Sequence, residues 1–309
     1  MITVAGMSPS LDLTYVVDEL RLGRIHRPSV TVRCAGGKSL NLARAAHTLD
    51  ADVHLAGIFG GITGQWLVTE LERVGIAVSA VRTPAETRTC VSIGSAATAE
   101  LTEVYPYAEA VPADVWAHLV EVLVARCAER PGWLVISGLT PAGLPPDGLA
   151  ELITRARAGG TRVAVVTHGA AQSPAVAARP ELTKINRSEA AGLLQVGEDT
   201  DLRTMAVAIA DRTDAAVVLT DGTAGATGLN PDGCWQIPAH PVSGAFPVGS
   251  GDSFLGGLVA ALDRGEVLPT ALRWAAACGT ANAMVPGAGA FSAEAARSIH
   301  DQVRLVRLS

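Results

Sequence analysis

WLVISGLTPAGLPPDGLAELITRARAGGTRVAVVT, residues 133–167, decides the architecture. Its first six residues, WLVISG, form the short and nearly continuous apolar run expected of a strand buried on both faces. DGLAELITRARAG (147–159) then spaces apolar residues at i, i+3 and i+4, the repeat of a helix with one buried stripe. RVAVVT (162–167) is a second buried strand. Strand, helix and strand in this order make a crossover unit, which calls for a parallel sheet covered by helices. Outward from this unit, ITVAG (2–6), VHLAGI (53–58) and AAVVLT (215–220) repeat the strand pattern, and each is expected to lead into a helix. SLNLARAAHTL (39–49), GQWLVTELERVG (64–75), ADVWAHLVEVLVARCAE (113–129) and TDLRTMAVAIADRT (200–213) supply the helical spacing. The expected class is α/β, a sandwich around a mainly parallel sheet.

Two regions, 13–35 and 87–105, break the rhythm. LDLTYVV, SVTVRC, TRTCVSIG and ELTEVY read as strands with no helices between them. Strands outside the crossover series should pair with one another as a small sheet beside the main one. Ligands of open α/β sheets sit beyond the carboxyl ends of the strands, so such a sheet is placed to act as a lid.

Composition bounds the function. The 309 residues carry 24 Lys+Arg against 30 Asp+Glu, a net charge of −6, and 49% are hydrophobic, which excludes disorder as the dominant state. No run of Lys or Arg favours nucleic acid or an anionic membrane as partner, so any phosphate must be held locally. The N-terminus MITVAGMSPSLDLTY lacks the basic start and apolar stretch of a signal peptide, and a cytoplasmic location is expected. Cys34, Cys90, Cys127, Cys234 and Cys278 are scattered and form no CxxC pair, so neither a disulfide framework nor a zinc site is indicated. The seven histidines show no metal-ligand spacing either.

Three stretches carry chemistry. In FPVGSGDSFLGGLVAALDRG (246–265), Phe254, Leu255, Leu258, Val259 and Leu262 mark one helical face, so Gly249-Ser250-Gly251-Asp252 is the first turn. Free N–H groups there can bind a phosphate, and the Asp252 carboxylate can take a proton from an attacking alcohol. Alternatively Asp252 or Ser250 simply caps the helix. In CAGGKSLNLARAAHTL (34–49), Gly37-Lys38-Ser39 resembles the end of a P-loop, but Val32 stands where its first glycine belongs. Gly36, Gly37, Lys38 and Asn41 can still offer a polar close-approach surface, or only a tight turn. LTKINRSEAAGLL (182–194) follows a strand and opens a helix with Asn186 and Glu189 three apart. That pair can organise a hydrated divalent cation or form a capping box.

Together these stretches resemble the ribokinase-like, or PfkB, carbohydrate kinase superfamily along essentially the whole chain, 1–309, as one kinase domain with a three-layer αβα sandwich and a β-sheet lid. VGSGDSFLGGLVAAL, AGGKSLNLARAA and Asn186-Arg187-Ser188-Glu189 carry the likeness. SPSLD (8–12), GGKSLN (36–41), ETRTCVSI (86–93), ELTEVY (100–105), SGLTPAGLP (137–145) and TKIN (183–186) are most similar to the branch that includes 1-phosphofructokinase and tagatose-6-phosphate kinase. The resemblance implies ATP- and Mg²⁺-dependent phosphoryl transfer to a sugar phosphate. It makes Asp252 the base and the N–H groups of Gly249, Ser250 and Gly251 the anion hole. Glu189 and Asn186 would hold the metal through water, with Lys184 near the nucleotide phosphates. Asp12, Gly36, Gly37 and Asn41 would grip the sugar, while Lys38 and Arg88 would take its phosphate. Thr220, Gly222, Gly225 and Asn282 would surround the nucleotide. It also implies a homodimer through the lid sheet. The alternatives are a kinase for an unphosphorylated sugar or nucleoside, and a binding protein without catalysis. The chain departs from the branch at Ser8-Pro9-Ser10 (usually Asn-Pro-Ala), at Val166-Thr167-His168-Gly169 (Asp-Thr-Ser-Gly), at Ile185 (Pro), at Ser39 (Gly) and at Ala108 (Gly).

Overall fold

A computed structural model of the chain describes residues 1–98, 100–238 and 244–308. Ala99, in the second inserted region, and Ser309, at the end of the assigned domain, lie outside the described residues. The strands of the first half are β1 (Ile2–Gly6), β2 (Ser10–Val17), β3 (Val30–Gly36), β4 (Val53–Gly60), β5 (Ala77–Thr83), β6 (Thr89–Ser95) and β7 (Glu100–Val104). Those of the second half are β8 (Trp133–Ser137), β9 (Arg162–Val166), β10 (Leu182–Asn186), β11 (Ala216–Thr220), β12 (Gly225–Asn230), β13 (Gly233–Pro238) and β14 (Val306–Leu308). The helices are α1 (Lys38–Thr48), α2 (Gly61–Arg73), α3 (Ala113–Glu129), α4 (Gly148–Ala158) and α5 (Gln172–Ala177), then α6 (Arg187–Leu194), α7 (Leu202–Thr213), α8 (Ser250–Asp263), α9 (Leu268–Ala283) and α10 (Ala293–His300).

The large sheet runs β14-β13-β12-β11-β10-β9-β8-β1-β4-β5. It is parallel from β5 through β11, and the last three strands are antiparallel. Its inner parallel strands, β4, β1 and β8 through β11, are largely buried on both faces, which is why their sequences are mostly apolar, while β5 and β14 at the edges are partly exposed. Alternate residues serve different cores. Val4, Leu55, Val135 and Ala164 meet the layer that contains α1, α8, α9 and α10. Ala5, Ala56, Leu134 and Val163 meet α3 and α4 on the other face. A smaller cluster packs α6 and α7 against β11 through Met205, Ile209, Val217 and Leu219.

ITVAG leads into β2 and β3 before α1 rather than directly into a helix. AAVVLT also differs from its expectation. It leads not into a helix but into the β12–β13 hairpin, whose turn is set by Asn230 Oδ1 accepting the Asp232 N–H at 3.0 Å. The opening LTKIN of the third motif is itself strand β10, central in the parallel sheet. The two inserted regions do form a separate sheet, in the order β3-β2-β6-β7. Its first strand begins at Ser10, three residues before the expected boundary. Pairing of β2 with β6 is parallel and joins the two regions.

Candidate active site

A cleft of about 1110 Å³ lies at the carboxyl ends of β1, β8, β9, β10 and β11, with residues of the small sheet forming part of its wall. That is where an open α/β sheet offers loops and helix starts to a ligand.

Asp252 lines this cleft from the first turn of α8. Gly249 caps that helix at φ 79°, and a side chain there would also overlap Ala288. Burial lifts the Asp252 carboxyl from 3.8 to about 6, against the hydrogen bond from Asn41 and the charges of Lys38 and Lys184. Asn41 Nδ2 donates to Asp252 Oδ2 at 3.1 Å, while its buried Oδ1 has no partner among the described residues. The anion turn needs one correction. The Ser250 N–H is already given to Pro247 O at 3.0 Å, and Ser250 does not line the cleft. Among the described residues the amides without a backbone acceptor are those of Gly249, Gly251 and Asp252.

The small sheet brings Asp12 to the opposite wall. Ser10 Oγ donates to its Oδ1 at 2.6 Å and the Gly37 N–H to its Oδ2 at 3.3 Å. Burial raises the Asp12 pKa, opposed by these hydrogen bonds and by the charges of Arg44 and Arg88. Gly36 does not line the cleft, but any Cβ there would overlap the Asp12 carboxyl, so its role is to admit that side chain. Lys38 lines the cleft with no ion pair among the described residues, its stem beside Gly138. Arg88 also faces the cleft. Its guanidinium donates to Pro106 O at 2.8 Å and to Ser8 O at 3.4 Å, leaving its other N–H groups unassigned.

Lys184 reaches the cleft from β10 although only 6% exposed, close to Gly251. Burial lowers its pKa, and the carboxylates of Asp252 and Glu189 oppose that shift. A buried ammonium without an ion pair among the described residues is suited to bind an anion. Asn186 and Glu189 do form the capping box of α6: Asn186 Oδ1 accepts the Glu189 N–H at 2.8 Å, and Glu189 Oε2 accepts the Asn186 N–H at 2.9 Å. Of the two alternatives, the capping box is formed, and Asn186 as the cap has its side-chain oxygen engaged there. Glu189 Oε1 remains for the cleft, 3.6 Å from His168 Nδ1.

Thr220 and Gly222 line the far end, but Gly225 starts β12, pressed against Ile237 and away from the cleft. Asn282 is also corrected. It is 0% exposed, donating to Val248 O at 2.8 Å and Ser250 Oγ at 3.1 Å. Its Oδ1 accepts from Ser253 Oγ at 3.1 Å and the Gly289 N–H at 2.6 Å. With its polar atoms so engaged it holds the anion turn in place and cannot face a base. Asn282→Ala should therefore lower the unfolding free energy by about 1–3 kcal/mol, since buried partners lose their bonds. Urea unfolding would measure this; an unchanged midpoint would return Asn282 to the ligand.

His168 and Arg187, given no role from the sequence, also line the cleft. His168 faces Glu189, and burial with the Lys38 charge lowers its pKa, Glu189 opposing. Its only signal in the sequence is the departure at 166–169. Arg187 pairs with Asp221 at 2.9 Å and donates to the carbonyls of Glu198 at 2.7 Å and Thr200 at 2.9 Å, bracing the far end.

A family profile described as pfkB family carbohydrate kinase matches residues 2–296. A tagatose-6-phosphate kinase of Staphylococcus epidermidis is 25% identical over 315 aligned positions, covering all of both chains. Phosphofructokinase-2 of Escherichia coli, solved in complex with potassium, superposes with TM-score 0.90 at 29% identity, covering 97% of this chain and 98% of that one. A possible 1-phosphofructokinase of Thermotoga maritima has TM-score 0.91 over all of both chains at 22% identity, a likeness of fold.

Proposed function

This chain belongs to the pfkB family of carbohydrate kinases, and from that premise we propose that it transfers the γ-phosphoryl group of ATP to a hydroxyl of a sugar phosphate. The observation that carries this reading is Asp252, a carboxyl with its pKa near 6, set beside the unpartnered turn amides and the buried Lys184. A base of that strength is ionised at neutral pH and close enough to the operating range to accept a proton. Asp252 takes the hydroxyl proton as the sugar oxygen bonds to the γ-phosphorus, and the bond from that phosphorus to its bridging oxygen breaks to release ADP. The amides of Gly249, Gly251 and Asp252, with Lys184, bind the phosphoryl oxygens. Asn41 holds the base in place, and Asp12 binds sugar hydroxyls.

Mg²⁺ fits the donors present. No group of three His, Cys, Asp or Glu side chains forms a metal cage among the described residues, and Glu189 keeps a carboxylate oxygen outside its capping box in the cleft. Mg²⁺ keeps several waters and takes one or two carboxylates plus substrate phosphates. When bound, it would neutralise charge on the phosphates. Glu189→Gln should raise the Mg²⁺ concentration for half-maximal activity about tenfold or more. An unchanged titration would leave Glu189 as a helix cap alone.

The same reading treats residues 1–309 as one catalytic unit in the cytoplasm, with the small sheet as its cover. No helix among the described residues is long and apolar enough to cross a membrane. A homodimer through the lid is supported by the exposed Leu22 (96%) and Ile25 (87%) between β2 and β3. Sedimentation of the wild type and of Leu22→Asp would test it, a monomeric wild type removing the dimer.

The test of function is a coupled ATP-consumption screen over hexose monophosphates, free hexoses, pentoses and nucleosides. Fructose 1-phosphate and tagatose 6-phosphate come first. A hexose monophosphate should be turned over fastest; a free sugar or nucleoside in that place would overturn the acceptor class.

A further inference from the structure

The order of the large sheet divides the cleft, with β1 and β8 at the acceptor end, beside Asp12, Lys38 and Arg88, and β10 and β11 at the other. Lys184 and the first turn of α8 stand between them. The ends of β10 and β11 are thus left for the part of the nucleotide beyond its phosphates, and Arg187, Glu198, Thr220, Asp221 and Gly222 line the wall there. Asn186 pairs with Thr220 in the parallel register, and the next residue of each strand extends that pairing as an ion pair, Arg187 with Asp221 at 2.9 Å. The two side chains are 27% and 25% exposed. Arg187 is held from behind, its Nη1 donating to Glu198 O at 2.7 Å and Thr200 O at 2.9 Å. Its Nη2 donates to Asp221 Oδ2, while Asp221 Oδ1 makes no hydrogen bond among the described residues. The guanidinium also keeps the Asp221 carboxyl below its usual pKa, so it is ionised at neutral pH.

We propose that Asp221, aimed by Arg187, accepts a hydrogen bond from the ribose 2′-hydroxyl of the nucleotide and so makes the enzyme prefer a ribonucleotide to its 2′-deoxy analogue; this rests on the phosphoryl-transfer reading above. A carboxylate oxygen in the cleft repels phosphate and takes O–H donors, and the ribose hydroxyls are the donors that follow the phosphates along a nucleotide. Dinucleotide-binding folds use the same chemistry, an acidic side chain on the 2′-hydroxyl. An ion pair this exposed adds little to stability, so its consequence lies in fixing where the free oxygen points. Asp221 is thereby a specificity-determining residue and Arg187 a positioning residue. A site built to bond a hydroxyl discriminates against the analogue that lacks it, because its own acceptor is left unpaired. Water can reach Asp221 and replace the missing hydroxyl in part, which sets the expected preference at about tenfold.

The test compares kcat/KM for ATP and for 2′-deoxy-ATP in the full chain, with the acceptor that the screen above turns over fastest. The wild type should favour ATP about tenfold. Asp221→Ala should raise KM for ATP by about that factor and KM for 2′-deoxy-ATP less than about twofold, bringing the ratio close to one. Arg187→Met should also lower the ratio, and Arg187→Lys should restore part of it. Equal use of the two nucleotides by the wild type would overturn the assignment, and that measurement needs no variant to fold. So would an unchanged ratio in Asp221→Ala, since equal losses with both nucleotides mean that the pair only braces the wall. If no acceptor is turned over with either nucleotide, the phosphoryl-transfer reading fails by itself. Calorimetric titration with ATP and with 2′-deoxy-ATP then still reads the preference, and equal affinities there would overturn the role of Asp221.

Discussion

Asp252→Asn is expected to lower kcat by about 10²–10⁴-fold while ATP and sugar-phosphate binding persist. The amide keeps the shape and can still bond Asn41, but it cannot accept the hydroxyl proton. In the wild type, kcat should fall as pH drops through about 6, where the carboxyl becomes protonated, and the variant should lose that limb. Stability should move the other way. A folded pKa raised from 3.8 to about 6 means that this group's contribution to folding is full below pH 3.8 and is lost as pH rises through 6. At pH 7 the wild type therefore carries a burial cost of up to about 3 kcal/mol, which the neutral amide relieves. Steady-state kinetics and urea unfolding across pH would check both halves. A variant with near wild-type kcat would reduce Asp252 to a residue of the helix start.

Arg88→Ala should raise KM for the sugar phosphate roughly ten- to a hundred-fold, with KM for ATP little changed. A charge-assisted hydrogen bond to phosphate contributes about 1.5–3 kcal/mol net. The guanidinium is aimed by its bonds to Pro106 O and Ser8 O, and its buried Nε has no partner among the described residues. Equal effects on both KM values would show that Arg88 only ties the 105–108 segment to the loop after β1.

The parallel sheet was legible because each buried strand and amphipathic helix writes a local period into the sequence. The β12–β13 hairpin was not: AAVVLT has the same apolar run as the other strands, and whether a helix or a hairpin comes after it depends on the sheet edge it joins. At the site, Asp252, Lys38 and Glu189 could be found from residue type and spacing, whereas Asp12 entered only through the family resemblance. Ser250 could not be told from its glycine neighbours, since its N–H is withdrawn by Pro247 O through the fold of the turn. Asn282 looked like a ligand residue because polarity in a helix near the site has two explanations, and only its buried bonds separate them. Lys184 showed its position but not its burial, which makes its charge consequential.

The parallel pairing of β2 with β6 joins Leu11 to Thr89 and Val17 to Ser95 across the whole of α1, β4, α2 and β5. Such a contact closes a long stretch of chain and is rewarded late, after the intervening elements have shortened the distance between its ends. The small sheet is thus expected to close only after the elements between its two halves have formed, and Asp12 and Arg88 arrive with it. During refolding, recovery of activity should lag behind recovery of helical signal in stopped-flow circular dichroism. A chain stalled before that closure would lack the Asp12 and Arg88 side of the cleft, and with it the groups proposed to select the sugar.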